Sequence, residues 1–238
     1  MKKFFGLLLA GMLLVGPANA QDEVSVGISL DALSGYVWRG GVIGADNKAV
    51  LQPGIELGFG ESGLTVGAWG SIFAQDRSVL DGADEVDIYA DYSTSLGEGG
   101  LGISIGFTEY LFPNAGAGAK HSEEAYVGIS LDHQLAPSVT FYYDFGLADA
   151  WYLVLSLGVD VPLGEEGGPA LSLGASAAIS DYGSKTGFND VTASASVSFG
   201  SGGISIAPTV AVTFADKKVN PDTSFWFGVS IGFSPGGE

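Results

Sequence analysis

The chain has 238 residues with 27 Asp+Glu against nine Lys+Arg, a formal net charge of −18 that argues against a nucleic-acid partner. It contains no cysteine, so no disulfide framework holds it together. Its mean hydropathy is +0.32, yet past the first twenty residues no apolar run approaches the roughly 20 residues of a membrane-spanning helix.

At the start, Lys2 and Lys3 precede an apolar run from Phe4 to Val15 and then Ala18-Asn19-Ala20, the three parts of a secretory signal with cleavage before Gln21. Residues 1–20 therefore read as a signal peptide and 21–238 as one exported unit. A chain this apolar must bury its surface in a large β core or show it to lipid as alternate residues of strands.

Alternation runs through the whole mature chain, because successive side chains of a strand point to opposite faces. Val24, Val26, Ile28 and Leu30 alternate with Ser25, Gly27 and Ser29. Near the other end, Phe225, Phe227, Val229, Ile231 and Phe233 alternate with Trp226, Gly228, Ser230 and Gly232. In order, the pattern predicts strands over 23–37, 50–60, 64–73, 85–96, 101–110, 123–132, 138–146, 151–161, 169–180, 189–199, 204–214 and 223–234. An even number of segments, most near the ~9–11 residues of a tilted crossing strand, defines the expected fold class: all-β, a transmembrane antiparallel up-and-down barrel of about 12 strands.

Connections alternate in length. Tight links at 60–63, 97–100, 133–137, 164–168 and 200–203 face longer segments at 39–49, 74–84, 111–122, 180–188 and 215–222, with a short one at 146–150. The signal puts the N-terminus on the periplasmic side, so the longer set is expected outside the cell. All basic residues after the signal, among them Arg39, Lys48, Arg77 and Lys120, fall in or beside the longer set, where they either meet outer-membrane lipid and lipopolysaccharide as partners or are simply the charge that exposed loops collect. Aromatic girdles are expected at both rims: Tyr36, Trp38, Phe73, Tyr110, Phe112, Phe145, Trp151, Phe214 and Phe225 outside, Phe59, Phe199 and Phe233 inside.

On the face away from lipid lie Asp31, Glu56, Trp69, Asp87, Tyr89, Asp91, Tyr126, Tyr142, Asp144 and Asp160. The corresponding face of 169–180, 189–199 and 204–214 holds almost only Ser, Thr, Ala and Gly. A carboxylate wall opposite a hydroxyl wall would favour cations if water fills the lumen; the other reading is a packed, non-conducting plug. Arg39 follows Trp38 at the rim and is expected to fold inward as an ion pair, with an aromatic face or a lipid phosphate as alternatives.

Ala175, Ala177, Ala193 and Ala195 form a flat outward strip, either a protomer contact or lipid-facing alanine. An enzyme is not expected. Of the two histidines, His121 adjoins Ser122, but neighbours on a strand face opposite ways and cannot form a dyad. No metal-ligand spacing, phosphate loop or cofactor motif occurs; Asp81 and Asp84 could at most touch calcium weakly.

Ser34-Gly35-Tyr36-Val37-Trp38-Arg39-Gly40 resembles the opening signature of the TorF-type porin family of Gram-negative bacteria. Gly67-Ala68-Trp69-Gly70-Ser71, Glu85-Val86-Asp87-Ile88-Tyr89-Ala90, Glu109-Tyr110-Leu111-Phe112-Pro113 and Glu124-Ala125-Tyr126-Val127-Gly128 are similar to it in order and spacing, over residues 24–150. The resemblance implies a barrel of the bacterial outer membrane, inserted by the barrel-insertion machinery, with no assigned chemistry. Many such barrels end on an aromatic residue, whereas here Ser-Pro-Gly-Gly-Glu follows Phe233. The expected protein is thus a small porin for passive diffusion of small solutes with cation preference, or else a non-conducting structural or surface-binding barrel.

Overall fold

A computed structural model describes residues 24–44, 48–97, 100–165, 168–182 and 186–235, apart from the side chain of Asp81. The expected signal peptide lies outside the described residues. The strands are β1 (Val24–Leu33), β2 (Tyr36–Trp38), β3 (Gly41–Ile43), β4 (Val50–Phe59), β5 (Leu64–Phe73), β6 (Glu85–Leu96), β7 (Leu101–Leu111), β8 (His121–Leu131), β9 (Ser138–Asp144), β10 (Ala150–Pro162), β11 (Ala170–Ser180), β12 (Gly187–Ser201), β13 (Ile204–Ala215) and β14 (Ser224–Phe233). Twelve of them, β1 and β4 to β14, form one closed antiparallel barrel in sequential order.

Closure is made by the chain's two ends. β1 pairs with β14 from Ile28↔Phe233 to Leu33↔Gly228 and on its other side with β4 from Val24↔Phe59 to Leu33↔Val50. Each of the twelve barrel strands is thereby paired on both sides, as a sheet closed in lipid requires. Period-two alternation then decides the two surfaces: on β14, Phe225 and Phe227 stand outward, 63% and 55% exposed, while Trp226 between them turns inward. Inward glycines make room for large inward rings. Gly106 lies where any Cβ would strike the Tyr126 ring and the Asp91 carboxylate, so the ring can lie flat across the sheet.

The predicted strands coincide with the barrel strands to within about two residues at almost every end. The first differs. It stops at Leu33 rather than 37, and the chain turns inward as the separate β2–β3 hairpin, paired Tyr36↔Ile43 and Trp38↔Gly41. This corrects the outer girdle. Tyr36 and Phe73 are 4% and 0% exposed and, with Trp69, Val50 and Leu80, form a core at the loop end of the lumen, with Trp38 packed against it. Tyr110 is also inward, its ring 6.2 Å from that of Trp38. A second core joins Tyr142, Tyr152 and Ala178.

The segment after β5 is likewise not a plain loop. It contains one helical turn, α1 (Arg77–Leu80), and a 3-10 turn over Asp81–Ala83, and it inserts Leu80 into the first core. Asp84 is committed there: Arg77 donates to both its carboxylate oxygens at 2.7 and 2.6 Å, and the Phe73 N–H and Asn114 donate at 3.3 Å each. These bonds, those from Arg77 foremost, hold the Asp84 carboxyl below the usual carboxylate range, and the side chain serves to fasten the loop.

Candidate functional site: the lumen and its inner hairpin

The β2–β3 hairpin turns through Arg39 and Gly40, both at positive φ (46° and 81°), the pattern of a two-residue I′ turn. Gly40 has no alternative, since a Cβ there would lie 2.9 Å from the Cβ atoms of both Asp190 and Ala215. Arg39 is different. A non-glycine residue in this region costs on the order of 1–3 kcal/mol and persists when surrounding contacts fix it.

Those contacts converge from five barrel strands and one loop. The guanidinium forms a bidentate pair with Glu124 of β8, Nη1 to Oε2 at 2.6 Å and Nη2 to Oε1 at 2.7 Å, with the two side chains 9% and 3% exposed. Nη1 also donates to the Tyr182 hydroxyl at 2.6 Å, and Tyr110 of β7 donates to Glu124 at 2.9 Å. The cation lies 4.4 Å from the Trp38 ring centre, 4.6 Å from that of Tyr142 on β9 and 4.7 Å from that of Tyr152 on β10. Asn189 of β12 donates to the Arg39 carbonyl at 2.8 Å. On the other side of the hairpin, Tyr36 donates to Glu85 of β6 at 3.0 Å.

Asn189 and the adjacent Asp190 are both buried, which strict alternation forbids. A register shift between Ala178 and Ile179 supplies the exception, for Ala178 pairs with Asp190 but Ile179 with Phe188. Asn189 then bridges Ser180 and Asp190 at 2.6 and 2.8 Å, while Tyr152 donates to Asp190 at 2.9 Å.

Every lumen residue expected from the sequence points inward, but into five different settings. Asp87, Tyr89, Asp91, Glu56 and Trp69 line the wall of β4 to β6, with Tyr89 donating to Glu56 at 3.2 Å. Asp31 is deeply buried on β1. Asp144 caps the turn after β9, accepting from Ser122 at 2.8 Å and from the Gly146 and Ala148 N–H groups at 2.9 and 3.2 Å. Tyr142 lies beneath Arg39. Asp160 sits apart, at the tight-turn end, accepting from Ser172 at 2.6 Å beside a cavity of about 330 Å³ lined by Ser156, Ser194, Ser196, His133 and Gln134.

Glu85, Glu124, Asp190 and Asn189 were missed. Glu124 shares the face of Tyr126, and Glu85 that of Asp87, so alternation extended to the strand ends would have found both; the bulged pair leaves no such signal. His121 and Ser122 take opposite faces, with the serine donating to Asp144.

A closed twelve-strand barrel with an apolar outside, a polar inside and a folded-in loop has the fold of outer-membrane porins. The chain is similar to the KdgM porin (TM-score 0.58, 11% identity, covering 87% of this chain and 98% of that one) and to the NanC porin (0.55, 10%, 87% and 98%). It is also similar to an outer-membrane channel from Pseudomonas putida F1 (0.50, 9%, 92% and 99%). It belongs to a bacterial protein family of unknown function, Gcw_chp, whose model matches residues 16–221. No curated protein matches the chain.

Proposed function

We propose that this protein is a small diffusion channel of the bacterial outer membrane, not an enzyme, and that its lumen favours small cations over anions. One observation carries the reading. No Lys or Arg lies in any of the twelve barrel strands, whereas Asp31, Glu56, Glu85, Asp87, Asp91, Glu124, Asp144, Asp160 and Asp190 all turn inward from them. The inward cation that the hairpin supplies, Arg39, is matched by Glu124 alone. A wall of one sign with low-dielectric surroundings focuses a field that attracts cations and repels anions.

Two further features support a wet lumen. Trp69 Nε1 and Asp87 Oδ1 are buried and find no hydrogen-bond partner among the described residues, a condition that water relieves. The apolar outer surface needs lipid, and the expected partners at its loop end are lipopolysaccharide phosphates. A related barrel, KdgM, is described in complex with an oligogalacturonate; that ligand is a polyanion, which the acidic wall here would repel. The resemblance to TorF-type porins points to the same class. A non-conducting, surface-binding barrel is the second reading, favoured by the hairpin that crosses the loop end of the lumen.

Single-channel recording of the refolded protein in a salt gradient tests both. Cation-selective steps are expected, with the reversal potential moving toward zero in the Asp87→Asn/Asp91→Asn double variant. Silence from protein that heat-modifiable mobility shows to be folded would favour the plugged barrel.

A further inference from the structure

Near the loop end of the outer wall, β7 and β8 carry three titratable side chains on a face that is otherwise apolar. The outward positions nearer the tight turns are Leu101, Ile103, Ile105 and Phe107 on β7 and Ala125, Val127, Ile129 and Leu131 on β8. Above them the antiparallel register sets Glu109 directly opposite Glu123 and Leu111 opposite His121. One donor atom from each of Glu109, His121 and Glu123 lies within 4.8 Å of the others. His121 Nδ1 is 3.1 Å from Glu123 Oε1, and these two side chains are 55% and 29% exposed.

Two carboxylates placed opposite one another across a strand pair repel, and on an apolar face that repulsion is poorly screened. Lys120, next in sequence, does not relieve it, for its ammonium donates to the Pro113 carbonyl at 3.0 Å. We propose that Glu109, His121 and Glu123 form a binding site for a divalent first-row transition cation of the zinc class. The imidazole selects such ions over magnesium and calcium, which prefer all-oxygen sets. The two carboxylates neutralise the ion, and three donors on one face leave a coordination position open to the surroundings of the barrel.

Ligand atoms around a zinc ion at ~2.0–2.1 Å stand about 3.3 Å apart, so the present separations close by side-chain torsions alone. His121 and Glu123 are two apart on one face, and Glu109 comes from the neighbouring strand across the 112–120 loop, so no local spacing motif announces the site.

Isothermal titration of the folded protein in detergent with Zn²⁺, alongside the visible spectrum of added Co²⁺, tests the assignment. One equivalent of Zn²⁺ per chain is expected to bind, with affinity at least tenfold weaker in His121→Ala and in Glu109→Gln and unchanged in His133→Ala. All three side chains point away from the lumen, so these variants keep the barrel, as heat-modifiable mobility would verify. Equal affinity of the native protein and His121→Ala for Zn²⁺ would overturn the proposal. So would displacement of bound Zn²⁺ by equimolar Mg²⁺, which would reveal an acidic patch without imidazole selectivity.

Discussion

Replacing Arg39 by Ala removes the centre of the contacts that hold the β2–β3 hairpin in the lumen. Its pair with Glu124 is bidentate at 2.6 and 2.7 Å, and the side chains are 9% and 3% exposed. Breaking a buried pair by deleting one partner costs about 3–5 kcal/mol, because the remaining charge is left uncompensated. Loss of the three ring contacts adds roughly 1 kcal/mol, while lumen water reaching Glu124 returns a similar amount, so the net cost stays at about 3–5 kcal/mol. The barrel ladder does not run through the hairpin, and the cost therefore falls on local opening rather than on global unfolding. Hydrogen exchange of residues 36–43 should accelerate by at least roughly 100-fold in Arg39→Ala, with larger single-channel conductance. The Arg39→Ala/Glu124→Gln double variant should exchange far more slowly than the sum of the single effects requires, since the stranded carboxylate is gone. Exchange within threefold of the native rate in Arg39→Ala, or strict additivity in the double variant, would refute the reasoning.

Asp84 sets a pH dependence for the loop after β5. Its carboxyl is held below its unfolded value of roughly 4 by the bonds from Arg77, so the stability it contributes is full above that value and is lost as pH falls through the folded one. Amide shifts of Phe73 and Asn114, whose groups donate to Asp84, should stay constant from neutrality down to about pH 4 and move below it, and Asp84→Asn should remove most of that change. On the outer wall, Ile105 is 52% exposed at the middle of β7; Ile105→Arg should destabilise the barrel in lipid vesicles by roughly 2–4 kcal/mol. A change below about 0.5 kcal/mol, as for an ordinary wet surface, would contradict a lipid-facing wall.

How far the sequence alone reached follows from what each signal measures. The period of two is set by local backbone geometry, so it located the barrel strands, gave their number and assigned Asp31, Glu56, Asp87, Asp91, Tyr142 and Asp160 to the inward face. The exclusion of Lys and Arg from the strands is equally a property of the string of residues. Arg39 was singled out from its place after Trp38, but its partner could not be chosen, for Glu124 is 85 positions away.

Only the closed barrel decided the rest. The hairpin has three-residue strands, too short for alternation to show, and whether Tyr36 and Trp38 meet lipid or the lumen depends on which way the chain turns after Leu33. Asn189 and Asp190 face the same way because a bulge interrupts the register with β11. Local geometry therefore wrote the wall into the sequence. The contents of the lumen were settled by closure, which brings β6, β8, β10 and β12 around one folded loop and lets charges far apart in the chain satisfy one another.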